Sequence, residues 1–309
     1  MKVRAILNPR AGVAAKRALL GLRRGRPSWT DLTVVVTTGP GDARTLAEEA
    51  ARAGAGLVLS VGGDGTANEV AQGLLGSPTA LGIVPVGSGN GLARCLGIPL
   101  DPARALESLE HGVDRLIDVG TANRRPFLNV GGAGFDAVVG ADFQAAGRIG
   151  RRRGISSYVL LSLLRLARYH VQPLRLEADG MRHELRPFLV CLANGPQYGA
   201  GALIARGAKL DDGRLDIVVI DDAPPAVLLA NVPRLFTGRL EHSRLYRRLT
   251  ATSAVLTGQA AFAYHRDGEP EPAVTRLEVG LLPRALRLRV PRATDRDSAG
   301  PLRLEESAV

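Results

Sequence analysis

The chain has 309 residues, 45% of them hydrophobic, which exceeds what one compact core usually holds and predicts two domains. Lys and Arg number 40 against 30 Asp and Glu, a net charge of +10, which favours an anionic partner such as a nucleotide or an acidic membrane surface. No run approaches the roughly 18–20 apolar residues of a membrane span, and an aromatic content of 4% leaves few stacking platforms, so no nucleic-acid partner is expected.

Residues 2–7 read as a first strand, not a secretion signal, because the apolar run is short and ends at Asn8-Pro9. Asn8 to Gly12 is a turn, 13–22 is helix-like, and 34–37 is strand-like. Gly39-Pro40-Gly41-Asp42 breaks the chain before a helix over 43–53, with Asp42 as the expected N-cap. The apolar run 57–61 stops at Gly62-Gly63-Asp64-Gly65-Thr66, and a helix follows to Leu75. Residues 80–86 form another strand, ended by Gly87-Ser88-Gly89-Asn90. Asp101-Pro102 starts a further helix, Asp as cap and Pro in the first turn. Strands alternating with helices predict a parallel α/β sheet, with ligands at the carboxyl ends of its strands. Three glycine-bearing turns, after Asn8, at Gly62 and at Gly87, occupy that end. Glycines there admit a ligand to the backbone, and amides at a helix start attract anionic oxygen.

After about residue 120 the pattern becomes mainly β. Strands are expected over 127–130, 174–178, 188–193, 215–220, 249–256 and 286–290, with helices over 157–170 and 225–236. The predicted domains are therefore 1–120 (α/β) and 121–291 (mainly β, sandwich-like). Residues 292–309 read as a loose tail. The only lysines are Lys2, Lys16 and Lys209, which rules out a G-x-x-x-x-G-K-S/T phosphate loop. Cys95 and Cys191 make no disulfide framework and fit a reducing cytoplasm.

Taken together, the Asn8 turn, Gly62 to Glu69 and Pro85 to Asn90 resemble the diacylglycerol-kinase catalytic-domain family, which includes bacterial lipid kinases and sphingosine- and ceramide-kinase relatives. Leu128 to Asp136 is similar to its central glycine motif, Lys209 to Asp216 to its metal-binding turn, and Asp267-Gly268-Glu269-Pro270 to its late acidic turn. The match runs in order over roughly residues 2–290. The resemblance implies an N-terminal domain like those of NAD kinases and phosphofructokinases. It also implies ATP as donor, Mg²⁺ as cofactor and a lipid hydroxyl as acceptor, diacylglycerol-like by preference.

By this resemblance the nucleotide lies at Asn8, Arg10, Thr37, Gly63, Asp64, Gly65, Thr66, Asn68, Glu69 and Ser88, the last in place of the more usual threonine. Thr37 and Thr38 are adjacent, and the motif does not choose between them. Mg²⁺ maps onto the Asp212 side chain and the carbonyls of Lys209 and Arg214, with Asp64 and Asp118 in the metal and water network. Glu269 matches the proton acceptor, with Asp267 beside it. The physical requirements agree, since phosphoryl transfer needs positioning and charge neutralisation, Mg²⁺ takes oxygen ligands, and a carboxylate can accept a hydroxyl proton.

Arg148, Arg151, Arg152 and Arg153 precede a leucine-rich helix. Such a segment suits an anionic membrane surface or, equally, a solvated charge run before a core helix. The expected protein is cytoplasmic and peripheral at the inner membrane face, and a homodimer is left open. Two other readings stand beside it: an NAD-kinase-like enzyme with a soluble acceptor, and a catalytically silent nucleotide-binding regulator.

Overall fold

The computed structural model describes residues 1–23, 29, 31–148, 155–199 and 201–304. In chain order the first elements are β1 (Lys2–Leu7), α1 (Gly12–Arg23), β2 (Asp31–Val36), α2 (Asp42–Arg52), β3 (Leu57–Gly62), α3 (Asp64–Leu74), β4 (Ala80–Pro85), α4 (Gly91–Cys95) and α5 (Pro102–Glu110). Then follow β5 (Val113–Ala122), β6 (Arg125–Phe127), β7 (Val130–Gly134), α6 (Phe135–Arg148), α7 (Ile155–Leu166), β8 (Leu174–Ala178), β9 (Met181–Leu185), β10 (Pro187–Ala193), β11 (Gln197–Gly199), β12 (Ala202–Leu203) and β13 (Leu215–Asp221). The last are α8 (Pro225–Thr237), β14 (Tyr246–Ala251), β15 (Ser253–Arg266), β16 (Glu269–Val290) and α9 (Arg292–Asp295).

The chain divides into two compact units. The first comprises Met1–Val119, Lys209–Asp212 and Leu282–Val309; the second comprises Gly120–Ala208 and Gly213–Leu281. In the first unit β4, β3, β1 and β2 lie side by side in that order, every pair parallel. The end of β16 adds beyond β4, where Leu288 faces Leu81. Every residue of β3 and β4 is buried, as strands covered on both faces must be, hence their unbroken apolar runs. Helix α2 buries Ala43, Ala47 and Ala50. Its crossing with α3 is close enough that a Cβ on Gly73 would meet the Arg44 carbonyl at 2.4 Å.

The second unit is antiparallel, with β14, β13, β10, β7, β15 and β16 in lateral order and the β8–β9 hairpin beside β15. Alternation along its strands fills two cores. Val190, Leu192, Leu215 and Ile217 join Phe127, Leu176 and Leu256 in one. Cys191, Ala193, Val218 and Ile220 join Ile204 and Leu228 in the other. Period-2 geometry sends neighbouring side chains to opposite faces, so a strand buried on both reads as continuously apolar. The fold is thus the expected α/β domain with a parallel sheet plus a sandwich-like β domain.

Several local expectations are corrected. Asp42 is the first helical residue of α2, and Gly41 holds the cap position. The Asp42 carboxylate turns back to accept the amides of Thr38 (2.8 Å) and Gly39 (3.1 Å) and the Thr38 hydroxyl. The strand expected over 127–130 breaks at Leu128-Asn129, whose amides go to the Asp267 carboxylate instead of a ladder. The strand expected over 249–256 breaks at Thr252, whose amide goes to Asp179. Asp101 does cap α5, accepting the amides of Ala103 and Arg104 at 3.1 Å each.

The expected loose tail is packed as far as Leu302. Thr294 and Leu302 are buried, and the Thr294 hydroxyl donates to the Leu96 carbonyl. Buried Arg115 donates to Asp295 (2.6 Å), Asp211 (3.0 Å) and the Arg303 carbonyl (2.7 Å). The Asp295 carboxylate and the Arg303 main-chain carbonyl, near the two ends of this segment, therefore compensate a buried cation. Among the described residues no helix is long and apolar enough to cross a membrane.

Candidate active site

The first-unit site grows from three strand ends. After β1, the Asn8 amide donates to the Val61 carbonyl (2.9 Å), which ties the first turn to β3. The Asn8 side chain donates to Thr66 Oγ1 (3.0 Å) and accepts the Arg10 amide (3.0 Å). Thr66 stands over Gly62 so closely that a Cβ there would lie 2.4 Å from Thr66 Cβ. A Cβ on Gly87 would lie 2.5 Å from Gly63 Cα. The two glycine loops therefore touch backbone to backbone, which is the physical reason neither position carries a side chain.

Asp64 joins the same two loops. Its carboxylate faces the amides of Asn90, Gly91 and Leu92 at the start of α4, whose dipoles favour the ionised form. Burial pushes its pKa up, and these amides oppose the shift without cancelling it. Asn90, in left-handed conformation at φ 53°, closes the second loop from within. Its side chain accepts the Gly87 amide (3.1 Å) and donates to the Gly87 carbonyl (2.8 Å).

A cavity of about 280 Å³ opens at these strand ends. Of the expected nucleotide residues, Asn8, Arg10, Thr37, Gly63, Gly65, Thr66 and Glu69 line it. Thr38 lines it too, but its hydroxyl is held by Asp42, and Thr37 is the buried member of the pair. Asp64, Asn68 and Ser88 are not in its wall. Asn68 is buried and accepts a hydrogen bond from Gln72 (2.8 Å), and Ser88 is exposed on the second loop. The donors suit an anionic polyoxygen ligand: backbone amides at a helix start, an amide side chain, hydroxyls and one arginine.

The turn Lys209–Asp212 belongs to this unit. The Asp118 amide donates to the Leu210 carbonyl (2.6 Å), and the Leu210 amide to the Pro301 carbonyl (2.8 Å). The Asp118 carboxylate is buried and accepts the Arg284 amide (2.7 Å). The Lys209 ammonium caps the carbonyls of Ser298 (3.0 Å), Gly300 and Leu302 (3.3 Å). Among the described residues no three His, Cys, Asp or Glu side chains converge as a cation cluster. The donor set expected for Mg²⁺, one carboxylate with main-chain carbonyls, is all hard oxygen, which is the chemistry that ion prefers.

In the second unit Asp267 and Gly268 connect β15 to β16, with φ 46° and 81°. Positive φ at both central residues is what a tight hairpin turn requires. The Asp267 carboxylate accepts three amides, from Leu128 (2.7 Å), Asn129 (2.9 Å) and Val130 (3.0 Å). Its acceptor capacity is thus directed into the chain. Glu269, exposed at the start of β16, accepts a hydrogen bond from the Gln144 side chain on α6 at 2.8 Å. Arg214 donates to Thr250 Oγ1 (3.3 Å). A separate apolar cavity of about 150 Å³ lies among Phe135, Leu166, Phe188, Leu228 and Val232.

Sequence reading missed His265, Asp136, Tyr198 and Gln144, which surround the late acidic turn. The signal available was His265, a polar residue in an alternating strand two positions before Asp267. The side chain of Arg148 and residues 151–153 lie outside the described residues.

Comparison with known proteins agrees with this architecture. Residues 2–122 match the diacylglycerol kinase catalytic domain, and residues 129–290 match the YegS C-terminal NAD kinase beta sandwich-like domain. A Pseudomonas aeruginosa (strain UCBPP-PA14) protein named "Probable lipid kinase YegS-like" is 33% identical over 284 residues, covering 91% of this chain and 89% of its own. A diacylglycerol kinase of Bacillus subtilis (strain 168) is 32% identical over 229 residues, covering 72% of this chain and 74% of its own. A crystal structure from Bacillus anthracis str. Sterne matches with a TM-score of 0.76 at 24% identity, covering 94% of this chain and 96% of its own. At that identity the likeness speaks for the fold. Two domain models in order and relatives matched over most of their length leave one conclusion: the chain belongs to the diacylglycerol-kinase catalytic-domain family of lipid kinases, and it is a kinase.

Proposed function

We propose that the protein transfers the γ-phosphoryl group of ATP, with Mg²⁺, to the hydroxyl of a lipid, diacylglycerol-like by preference. The observation that carries this reading is the convergence of Asn8, Arg10, Thr37, Gly63, Gly65, Thr66 and Glu69 on one cavity at the carboxyl ends of parallel strands. When bound, Mg·ATP supplies the transferable group and a neutralising charge. Around it, the Gly63 and Gly65 amides, Asn8, Arg10 and Thr66 orient phosphate oxygens. Asp64 sits between the loops that carry those donors, Asp118 ties down Leu210 of the later turn, and Asp212 with the Lys209 and Arg214 carbonyls would hold the metal. Glu269 takes the proton from the acceptor hydroxyl, and Asp267 fixes the turn from which Glu269 projects.

The acceptor's apolar body fits the cavity among Phe135, Leu166, Phe188, Leu228 and Val232. Helix α8 supports a peripheral, anionic membrane partner at the cytoplasmic face. Leu229, Val232 and Phe236 stay 43%, 43% and 57% exposed, and its sequence PAVLLANVPRLFT carries an arginine and no acid.

The test is transfer of labelled γ-phosphate from Mg·ATP to a panel of lipid acceptors in mixed micelles, with NAD as a soluble control. A labelled lipid that disappears in Glu269→Gln supports the reading and names the acceptor. Label on NAD alone, or ATP binding with no transfer to any acceptor, overturns it.

A further inference from the structure

Beneath the Asp267-Gly268 turn lies a buried polar chain to which the transfer reaction assigns no role. His265, on β15, is 5% exposed. Its Nδ1 accepts the Gly268 amide at 3.2 Å, and its Nε2 lies 3.0 Å from Asp136 Oδ2. A nitrogen that accepts an N–H bears no proton, so the imidazole proton sits on Nε2 and points at Asp136. Asp136, in the first turn of α6, also accepts the Tyr198 hydroxyl (2.7 Å) and the Ala137 amide (2.8 Å). Strand β7 makes room for the pair. A Cβ on Gly132 would lie 2.3 Å from Asp136 Oδ2 and 2.5 Å from His265 Nε2. Residue 269 is next in the chain after Gly268, and its carboxylate is held by Gln144 of the same helix (2.8 Å). Helix α6 thus reaches Glu269 twice, through Gln144 directly and through Asp136, His265 and the Gly268 backbone.

We propose that His265, oriented by Asp136, is a positioning residue for Glu269. Asp136 fixes the imidazole in the tautomer that leaves Nδ1 bare. Bare Nδ1 holds the Gly268 amide, and that bond sets where the Glu269 carboxylate stands toward the acceptor hydroxyl. The inference rests on the reading of Glu269 as proton acceptor. A core position that needed only packing would gain nothing from a ring whose two nitrogens must both be satisfied on burial.

Two substitutions separate positioning from packing. Asparagine at 265 places an amide oxygen where Nδ1 sits and keeps the Gly268 bond. Glutamine places its polar end where Nε2 sits and leaves the Gly268 amide without that acceptor. His265→Asn is expected to keep kcat within about threefold of the parent, and His265→Gln to lose about 100-fold with the KM for ATP unchanged, the scale of an ångström-sized misplacement of a reacting group. Amide hydrogen exchange at Gly268, read without any turnover, is expected to quicken in His265→Gln and not in His265→Asn. Equal kcat losses in the two variants, equal exchange at Gly268, or losses that simply follow Tm overturn the proposal. Glu269→Gln in the same assay tells the two readings apart. Near-normal turnover there removes the role of Glu269 and this inference with it. An inactive Glu269→Gln beside a fully active His265→Gln removes this inference alone.

Discussion

Asp64 illustrates how a residue's partners redefine its role. As a sequence position it is an acid in a glycine loop, suited to metal or phosphate chemistry. In the fold its carboxylate faces the amides of residues 90–92, and burial raises its pKa from the ordinary 3.8. An acid whose folded-state pKa is raised binds more protons folded than unfolded, so its contribution to stability falls as pH rises from 3.8 through the raised value. Ionising this carboxylate therefore costs the folded state more than the unfolded one. Asp64→Asn is expected to leave Tm at pH 7 undiminished while turnover falls on the order of 100-fold. Calorimetry beside the micelle assay checks both halves, and near-normal turnover would remove Asp64 from the site. Asp267 shows the same principle in the second unit. Adjacency to Glu269 suggests a second base, and in the fold three backbone amides hold its oxygens and with them the turn.

At the scale of elements, two features invite tests. The contact between the glycine loops leaves no space for a methyl group, since a Cβ on Gly87 would meet Gly63 Cα at 2.5 Å. Backbone cannot move aside as a flexible side chain can, so Gly87→Ala is expected to part the loops at a cost of about 1–3 kcal/mol. A rise in Tm with added ATP is expected in the parent and is expected to shrink or vanish in this variant. An undiminished ATP shift would show that the loops do not need this contact. Helix α8 is apolar nearly all round, yet of its residues only Leu228 is fully buried, whereas a helix of that composition is ordinarily enclosed. Val227→Ser with Phe236→Ser, two exposed positions outside the apolar cavity, is expected to weaken sedimentation with anionic vesicles at least about tenfold. Turnover on a short-chain soluble acceptor should stay near normal. Unchanged vesicle binding would place the membrane contact elsewhere.

On the scale of the whole molecule the chain is interlaced. The first unit is assembled from three separate stretches, and its last stretch supplies partners for Arg115. Ending the chain after residue 291 strips Asp295 and the Arg303 carbonyl from a guanidinium that is 7% exposed. Leaving a buried charge short of partners costs about 3–5 kcal/mol. The truncated chain is expected to melt at least several degrees lower, and an unchanged Tm would show that residues 292–304 pack without consequence.

What could be read from the residues alone was whatever is encoded locally. The alternation of strands and helices gave the parallel sheet, because burial on both faces leaves the unbroken runs 57–61 and 80–85. Glycine spacing located the loops that meet at the first-unit cavity, because close backbone approach requires glycine. The Asp101-Pro102 start of α5 was legible because capping acts across three residues. Tertiary structure decided the rest, since it depends on partners far apart in sequence. The amides of Leu128 and Asn129 are drawn out of a strand by a carboxylate almost 140 positions away. The apparent tail is ordered by Arg115 and Lys209. His265 meets Asp136 across 129 positions, where Gly132 leaves the space. Hydrogen bonds and charge compensation between distant groups leave no periodic trace along a chain, and so only the fold reveals which acids hold loops and which one, Glu269, stands exposed and held by Gln144.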